Sequence, residues 1–232
     1  MVKAVIFDLD DTLISERDYI ISGYRHVAEL LSPALKIDKD ILFSDMMELF
    51  EYSSNNVFNR LLEKYKLKYS DQMITDLVNE YRSHFPSIKF YNDVLPCLQE
   101  LKAAKIKTGI ITDGYAVAQR QKLKAVEAYK YFDEILITDE LGREYWKPHS
   151  KAFILMKERL GFDYDEMIYV GDNILKDFVT PNELGLVSIL IRRRNSIYSN
   201  ITNSISAINY IPKIEIESFA ELIDIISNKR DI

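Results

Sequence analysis

Five short apolar runs punctuate the chain, and each gives way to a polar cluster. Residues 5–7 precede Asp8, 108–111 precede Thr112-Asp113-Gly114, and 134–137 precede Thr138-Asp139. Residues 167–170 precede Gly171-Asp172-Asn173, and 187–191 lead into Arg192-Arg193-Arg194. Short apolar runs bounded by turn residues read as strands buried on both faces. Helical spacing fills the intervals at 94–104, 117–128 and 151–160. Strands alternating with helices require right-handed crossovers, which build an α/β fold: a Rossmann-like parallel sheet with helices on both faces. In such a sheet ligands bind beyond the carboxyl ends of the strands, where these polar clusters fall.

The rhythm breaks between residue 14 and about residue 90. That stretch is rich in Leu, Tyr, Glu and Lys, keeps helical spacing and contains no convincing buried strand. It reads as a helical cap domain inserted after the first strand, giving a core of residues 1–14 and 91–232 and a cap of residues 15–90. An insertion at that point would project over the carboxyl edge of the sheet and act as a lid; a subdomain that only stabilises the core is the alternative. No repeat, low-complexity tract or linker interrupts the chain, and residues 228–232 read as a frayed tail.

Composition narrows the function classes. With 232 residues, 47% of them hydrophobic and 28% charged, the chain is an ordinary globular protein able to bury a substantial core. A net charge of -6 argues against nonspecific nucleic-acid binding, although a local basic pocket for one small anion remains compatible with it. The single cysteine, Cys97, forms no intramolecular disulfide and reads as a buried, inert thiol at a helix start. The first strand begins almost at once, without a leader, and no apolar run is long enough to cross a bilayer. The expected location is cytoplasmic.

The acids after the first run are the strongest chemical signal. Because side chains alternate along an extended chain, Asp8 and Asp10 lie on one side, close enough to share a cation or divide one reaction. Helix capping is the competing reading; it explains one acid or two, not a pair after an apolar run. Thr112, with the backbone amides of the turn through Asp113 and Gly114, could hold an anionic oxygen, although Thr-Asp-Gly is also a common turn. Lys147 stands before Pro148, which steadies the backbone ahead of a helix and could aim an ammonium at a phosphoryl group. Asp172 and Asp177, five positions apart across a strand-to-helix turn, add hard oxygen donors suited to Mg²⁺, with capping a fair alternative for Asp177.

Taken together and in this order, these four segments resemble the haloacid dehalogenase superfamily over nearly the whole chain. The resemblance implies that Asp8 is a nucleophile forming an aspartyl-phosphate, Asp10 a general acid/base, and Thr112 and Lys147 the groups that orient the phosphoryl group. It implies Mg²⁺ held by Asp8, the backbone carbonyl of Asp10 and the side chain of Asp172, with Asp177 steadying the metal's surroundings rather than binding it. Crowding by neighbouring acids is expected to raise the pKa of Asp10. The dehalogenase branch lacks an acid at the position of Asp10, so its presence favours phosphoryl chemistry. The stretch from Thr112 to Lys147, including Gln119, Lys122 and residues 139–143, looks like the phosphatase and nucleotidase-like members with a helical cap.

The resulting expectation is a Mg²⁺-dependent phosphomonoesterase whose partner is a small phosphorylated metabolite, a sugar phosphate or a nucleoside monophosphate. A phosphosugar mutase would use the same aspartyl-phosphate, and an idle Mg²⁺ and phospholigand binding module would use the same acids. A nucleotide-binding α/β protein is weaker, since neither a dinucleotide fingerprint nor a phosphate-cradling Gly-Lys-Ser/Thr loop occurs. Arg17, Asn55, Asn56 and Arg60 could reach a leaving group but read as solvated surface residues. The run Arg192-Arg193-Arg194 is likewise expected to be solvated.

Overall fold

The structure, a computed structural model, describes residues 1–194, 196 and 210–228. The chain divides into two compact units, Met1–Arg17 with Ile88–Ile232, and Asp18–Ser87.

The first unit is built on a six-stranded sheet of β1 (Ala4–Phe7), β2 (Lys107–Thr112), β3 (Glu134–Ile137), β4 (Met167–Gly171), β5 (Val187–Ile191) and β6 (Ile214–Ile216). Every pairing is parallel and the order is β3-β2-β1-β4-β5-β6. β1 is central and buried throughout, its Phe7 in register with Ile110 and Val170. Alternate side chains of the strands therefore enter opposite cores. Val5, Phe7, Ile110, Ile168 and Val170 pack with Val94, Leu98, Leu101 and Leu222. Ala4, Ile6, Ile111 and Tyr169 pack with Ala152, Phe153 and Met156. Helices α5 (Val94–Ala103), α6 (Ala116–Ala125), α7 (Lys151–Leu160), α8 (Val179–Leu184) and α9 (Phe219–Asn228) complete the layers. Phe7 meets the rings of Phe132 and Phe219 edge-on, so its truncation to Ala belongs in the range of about 3–5 kcal/mol.

The second unit is helical. α1 (Glu16–Leu35), which begins in the first unit, continues into it and is followed by α2 (Lys39–Tyr52), α3 (Val57–Lys64) and α4 (Asp71–Ser83). Tyr24, Val27, Leu31, Leu42, Met46 and Leu61 form its own core. At its base, within the first unit, the outgoing and returning chain pair through a bridge between Ile14 and Phe90 and a hydrogen bond from the Tyr91 amide to the Leu13 carbonyl, 2.9 Å.

Three details depart from the sequence reading. The helix expected to reach residue 128 stops at Ala125, because Glu127 takes φ 53°, a left-handed conformation that cannot continue an α-helix, before a short 3₁₀ turn. β6 and α9 were not anticipated; β6 is three residues long with only Ile216 buried, too short to stand out as an apolar run. Of the tail expected to fray, Asn228 ends α9 and residues 229–232 lie outside the described residues. Cys97 is buried in α5, as its apolar setting implied, and burial pushes its thiol up to about 12. Among the described residues no helix is long and apolar enough to cross a membrane.

Candidate active site

The strand order reverses between β1 and β4, which opens a crevice beyond their carboxyl ends. Asp8 leaves β1 there, its amide still donating to the Val170 carbonyl at 2.8 Å, and Asp172 leaves β4 beside it. Lys147, with no exposed side-chain surface, reaches into the crevice. Its Nζ donates to Asp8 Oδ1 at 2.6 Å, Asp177 Oδ1 at 2.7 Å and the Tyr169 hydroxyl at 2.9 Å. Asp177 Oδ2 in turn accepts from the Asn173 amide at 2.9 Å. This carboxylate sits so close to the chain that a Cβ on Gly171 would stand 2.6 Å from its Oδ2; only glycine admits it. Asp177 is therefore a fully buried member of the cluster and caps no helix.

Asp8, Asp172 and Asp177 each offer a carboxylate oxygen, all within 4.8 Å of one another. Burial raises the pKa of Asp8 to about 6 against the pull of Lys147 and Lys176. Burial also pushes Asp172 well up, reinforced by the charges of Asp177 and Asp8. For Asp177 the burial penalty is overcome by Lys147 and Lys176, and its pKa falls. Two nearby ammonium groups do not offset the crowding of three acids, and Asp172 stays held up. Convergent hard oxygens whose mutual repulsion a further cation relieves suit a small divalent ion, so the donor set fits one.

Asp10 turns its carboxylate to another set of partners. Lys122 Nζ lies 2.7 Å from Asp10 Oδ1 and 2.6 Å from Glu16 Oε2, while Gln119 Nε2 donates to Asp10 Oδ2 at 2.9 Å. The expected rise in the pKa of Asp10 is overturned. Burial does push it up, but Lys122 and hydrogen bonds from Glu16, Lys122 and Gln119 outweigh burial and hold it below the usual value. The group held up is Glu16, raised to about 8 by burial and by the charge of Asp10. Capping claims a different acid: Asp11 Oδ1 accepts from the Glu16 amide at 2.9 Å at the start of α1.

Thr112, fully buried at the end of β2, accepts from Gln119 Nε2 at 2.5 Å. The Asp113 carboxylate braces the loops. Its Oδ1 accepts from the Thr138 hydroxyl at 2.6 Å and the Lys147 amide at 3.1 Å, and its Oδ2 stands 3.7 Å from Lys176 Nζ. Glu16, Tyr169 and Lys176 were not singled out in the sequence, and Gln119 and Lys122 only through the resemblance. A legible signal existed for the last two: α6 buries Ala118, Gln119, Lys122 and Leu123, so an amide and an ammonium occupy its core-facing stripe.

The solvated reading of Arg192-Arg193-Arg194 fails at its centre. Arg193 Nε and Nη2 donate to the Thr12 carbonyl at 3.1 and 3.0 Å, and Nη1 meets Asp93 Oδ2 at 2.7 Å. Its guanidinium lies over the rings of Tyr91 and Phe219. In the helical unit, Arg60 is taken up by its own loop, donating to the carbonyls of Asn55 and Ser53.

A sequence profile described as haloacid dehalogenase-like hydrolase matches residues 5–191. The chain is 32% identical to a glyceraldehyde 3-phosphate phosphatase of Methanopyrus kandleri, over 97% of each protein. It is 29% identical to one of Methanocaldococcus jannaschii over the full length of both. Among solved structures it is similar to a HAD phosphatase from Thermococcus onnurineus, with 27% identity, 99% of this chain and 100% of that one covered, and a TM-score of 0.62.

Proposed function

The chain belongs to the haloacid dehalogenase-like hydrolases and is a phosphatase of that kind, and from this premise we propose that it hydrolyses a small sugar phosphate with Mg²⁺ through an aspartyl-phosphate on Asp8. The observation that carries the reading is the Asp8 carboxylate paired with Lys147 at 2.6 Å in a crevice where Asp172 and Asp177 present further oxygens. The names of the relatives point to a triose phosphate as the first substrate to test.

Mg²⁺ would be held by Asp8, Asp172 and the backbone carbonyl of Asp10, and when bound it supplies positive charge against the repulsion between a carboxylate and a phosphate dianion. Asp177 keeps Lys147 and the Asn173 turn in place around it. Lys147 offsets charge on the phosphoryl oxygens, and the Thr112 hydroxyl and the Asp113 amide orient them. An Asp8 oxygen attacks phosphorus, the ester oxygen leaves, and Asp10 gives that oxygen its proton. Water then attacks the aspartyl-phosphate, and Asp10 takes a proton from it as inorganic phosphate departs. Asp10 passes through a protonated and an ionised form, and its lowered pKa favours the ionised form that the second half uses. The helical unit is inserted directly after the loop bearing Asp8 and Asp10.

The test is release of inorganic phosphate from glyceraldehyde 3-phosphate, other sugar phosphates and nucleoside monophosphates, with and without Mg²⁺. Metal-dependent release that is lost in Asp8→Asn supports the reading. Unimpaired release from Asp8→Asn overturns the assignment of the nucleophile, and phosphoryl transfer between sugars without release favours a mutase.

A further inference from the structure

We infer that Lys122, Gln119 and Glu16 form a positioning cradle that fixes the Asp10 carboxylate where the leaving oxygen must be protonated. The inference rests on the reading of Asp10 as the general acid/base. Each oxygen of Asp10 has its own donor, Lys122 Nζ on Oδ1 at 2.7 Å and Gln119 Nε2 on Oδ2 at 2.9 Å. A carboxylate tied at both oxygens cannot turn about its terminal bond, and with Glu16 as a third donor one lone pair is left to carry the proton given to the leaving oxygen. Both donors come from one face of α6, three residues apart, so a single rigid element sets the plane of the carboxylate.

Lys122 is itself anchored. Glu16 Oε2 stands 2.6 Å from its Nζ, and the lysine side chain is only 4% exposed. A flexible four-carbon stem is thereby held in one place between two acids. Gln119 does double duty, because the amide nitrogen that holds Asp10 also donates to Thr112 Oγ1 at 2.5 Å. The acid that serves the leaving oxygen and the hydroxyl proposed to orient the phosphoryl group thus share one brace. Gly114 makes room for it: a Cβ there would fall 3.2 Å from Gln119 Cδ, at φ 123°.

None of the three residues need touch substrate, and a buried ion pair serving only stability would look similar. Kinetics separates the two. A series of phosphate monoesters whose leaving groups run from nitrophenol to simple alcohols is assayed for kcat/KM, which reports the half-reaction in which the ester bond breaks. A nitrophenolate leaves without a proton, whereas an alkoxide needs one. Lys122→Met is expected to lose about 100-fold on the alkyl esters and only a few-fold on the nitrophenyl ester, paralleling a steeper dependence in Asp10→Asn. Lys122→Arg should recover part of the loss on alkyl esters. Gln119→Met repeats the comparison with no charge removed, and it decides the matter should Lys122→Met not fold.

A loss that is equal across the series in both Lys122→Met and Gln119→Met, or no loss at all, while Asp10→Asn keeps its dependence on leaving group, overturns the cradle and leaves the general acid standing. An Asp10→Asn variant without that dependence overturns the reading on which the cradle rests.

Discussion

Replacing Arg193 by Met removes the tie between the loop that carries the acids and the end of the sheet. Arg193 places two N–H groups on the Thr12 carbonyl and a third on Asp93, and Asp93 Oδ2 also accepts from the Phe219 amide at 3.0 Å. Methionine retains much of the apolar cover over Tyr91 and Phe219, so the loss is mainly polar. Leaving a buried carbonyl without its donor costs about 1–3 kcal/mol, and losing a partly buried ion pair adds a similar amount that overlaps with it. We expect destabilisation of about 3 kcal/mol, which in a chain of this size corresponds to about 6–12 °C in Tm.

The pH dependence follows from Asp93, whose pKa is lowered because burial is outweighed by Arg193 and the Phe219 amide. A group depressed in the folded state stabilises above its unfolded value and loses that contribution as pH falls through the folded value. The deficit of Arg193→Met in urea unfolding should therefore be full at pH 7 and shrink below about pH 4. Activity should fall as well, since Thr12 lies two residues from Asp10. A deficit below about 1 kcal/mol at pH 7, or one that grows on acidification, would refute the reasoning.

Other perturbations probe the crevice and the core. Lys147→Met leaves Asp8 and Asp177 facing each other with Lys176 as the remaining nearby cation and no direct ion pair of their own, and should cost about 3–5 kcal/mol in metal-free urea titrations, with partial recovery when Asp177→Asn is added. Gly171→Ala drives a Cβ against Asp177, so Lys147 loses its anchor; steady-state assays should show kcat reduced about 100-fold, and unchanged kcat would mean that Asp177 moves freely. The Cys97 thiol, buried and pushed up to about 12, should resist alkylation by iodoacetamide at pH 8 in the folded protein and react once urea is added, as followed by intact mass.

Much of this arrangement was legible in the chain. β3, β5 and α7 fall on the residues that the apolar pattern marks, and the other core strands lie within two residues of it, because strands buried on both faces are written as uninterrupted apolar runs. Asp8 and Asp172 announce themselves as polar residues at strand ends, Lys147 by the proline that follows it and Asp177 by its place in the turn after β4, and those four converge in one crevice. What stayed hidden depends on distances across the fold. Glu16 is one acid at the start of a long helix, and nothing local distinguishes it from a solvated residue until α6 brings Lys122 against it. Tyr169 reads as one more apolar position of β4, although its hydroxyl ends on Lys147. The pKa of Asp10 was expected to rise because the sequence shows its acidic neighbours and not its cation, which is 112 residues away in the chain. Arg193 hid within a charge run whose neighbours differ from it only in where the backbone points them.

The central claim is that Asp8 carries the phosphoryl group between substrate and water. Its most direct test is acid quenching of the enzyme during turnover of glyceraldehyde 3-phosphate with Mg²⁺, followed by peptide mass spectrometry, using Asp10→Asn to slow the second half-reaction. The account predicts one phosphoryl group on the peptide containing Asp8, present only with substrate and metal and absent from Asp8→Asn. Phosphate release with no such adduct in Asp10→Asn, together with turnover retained in Asp8→Asn, would contradict it.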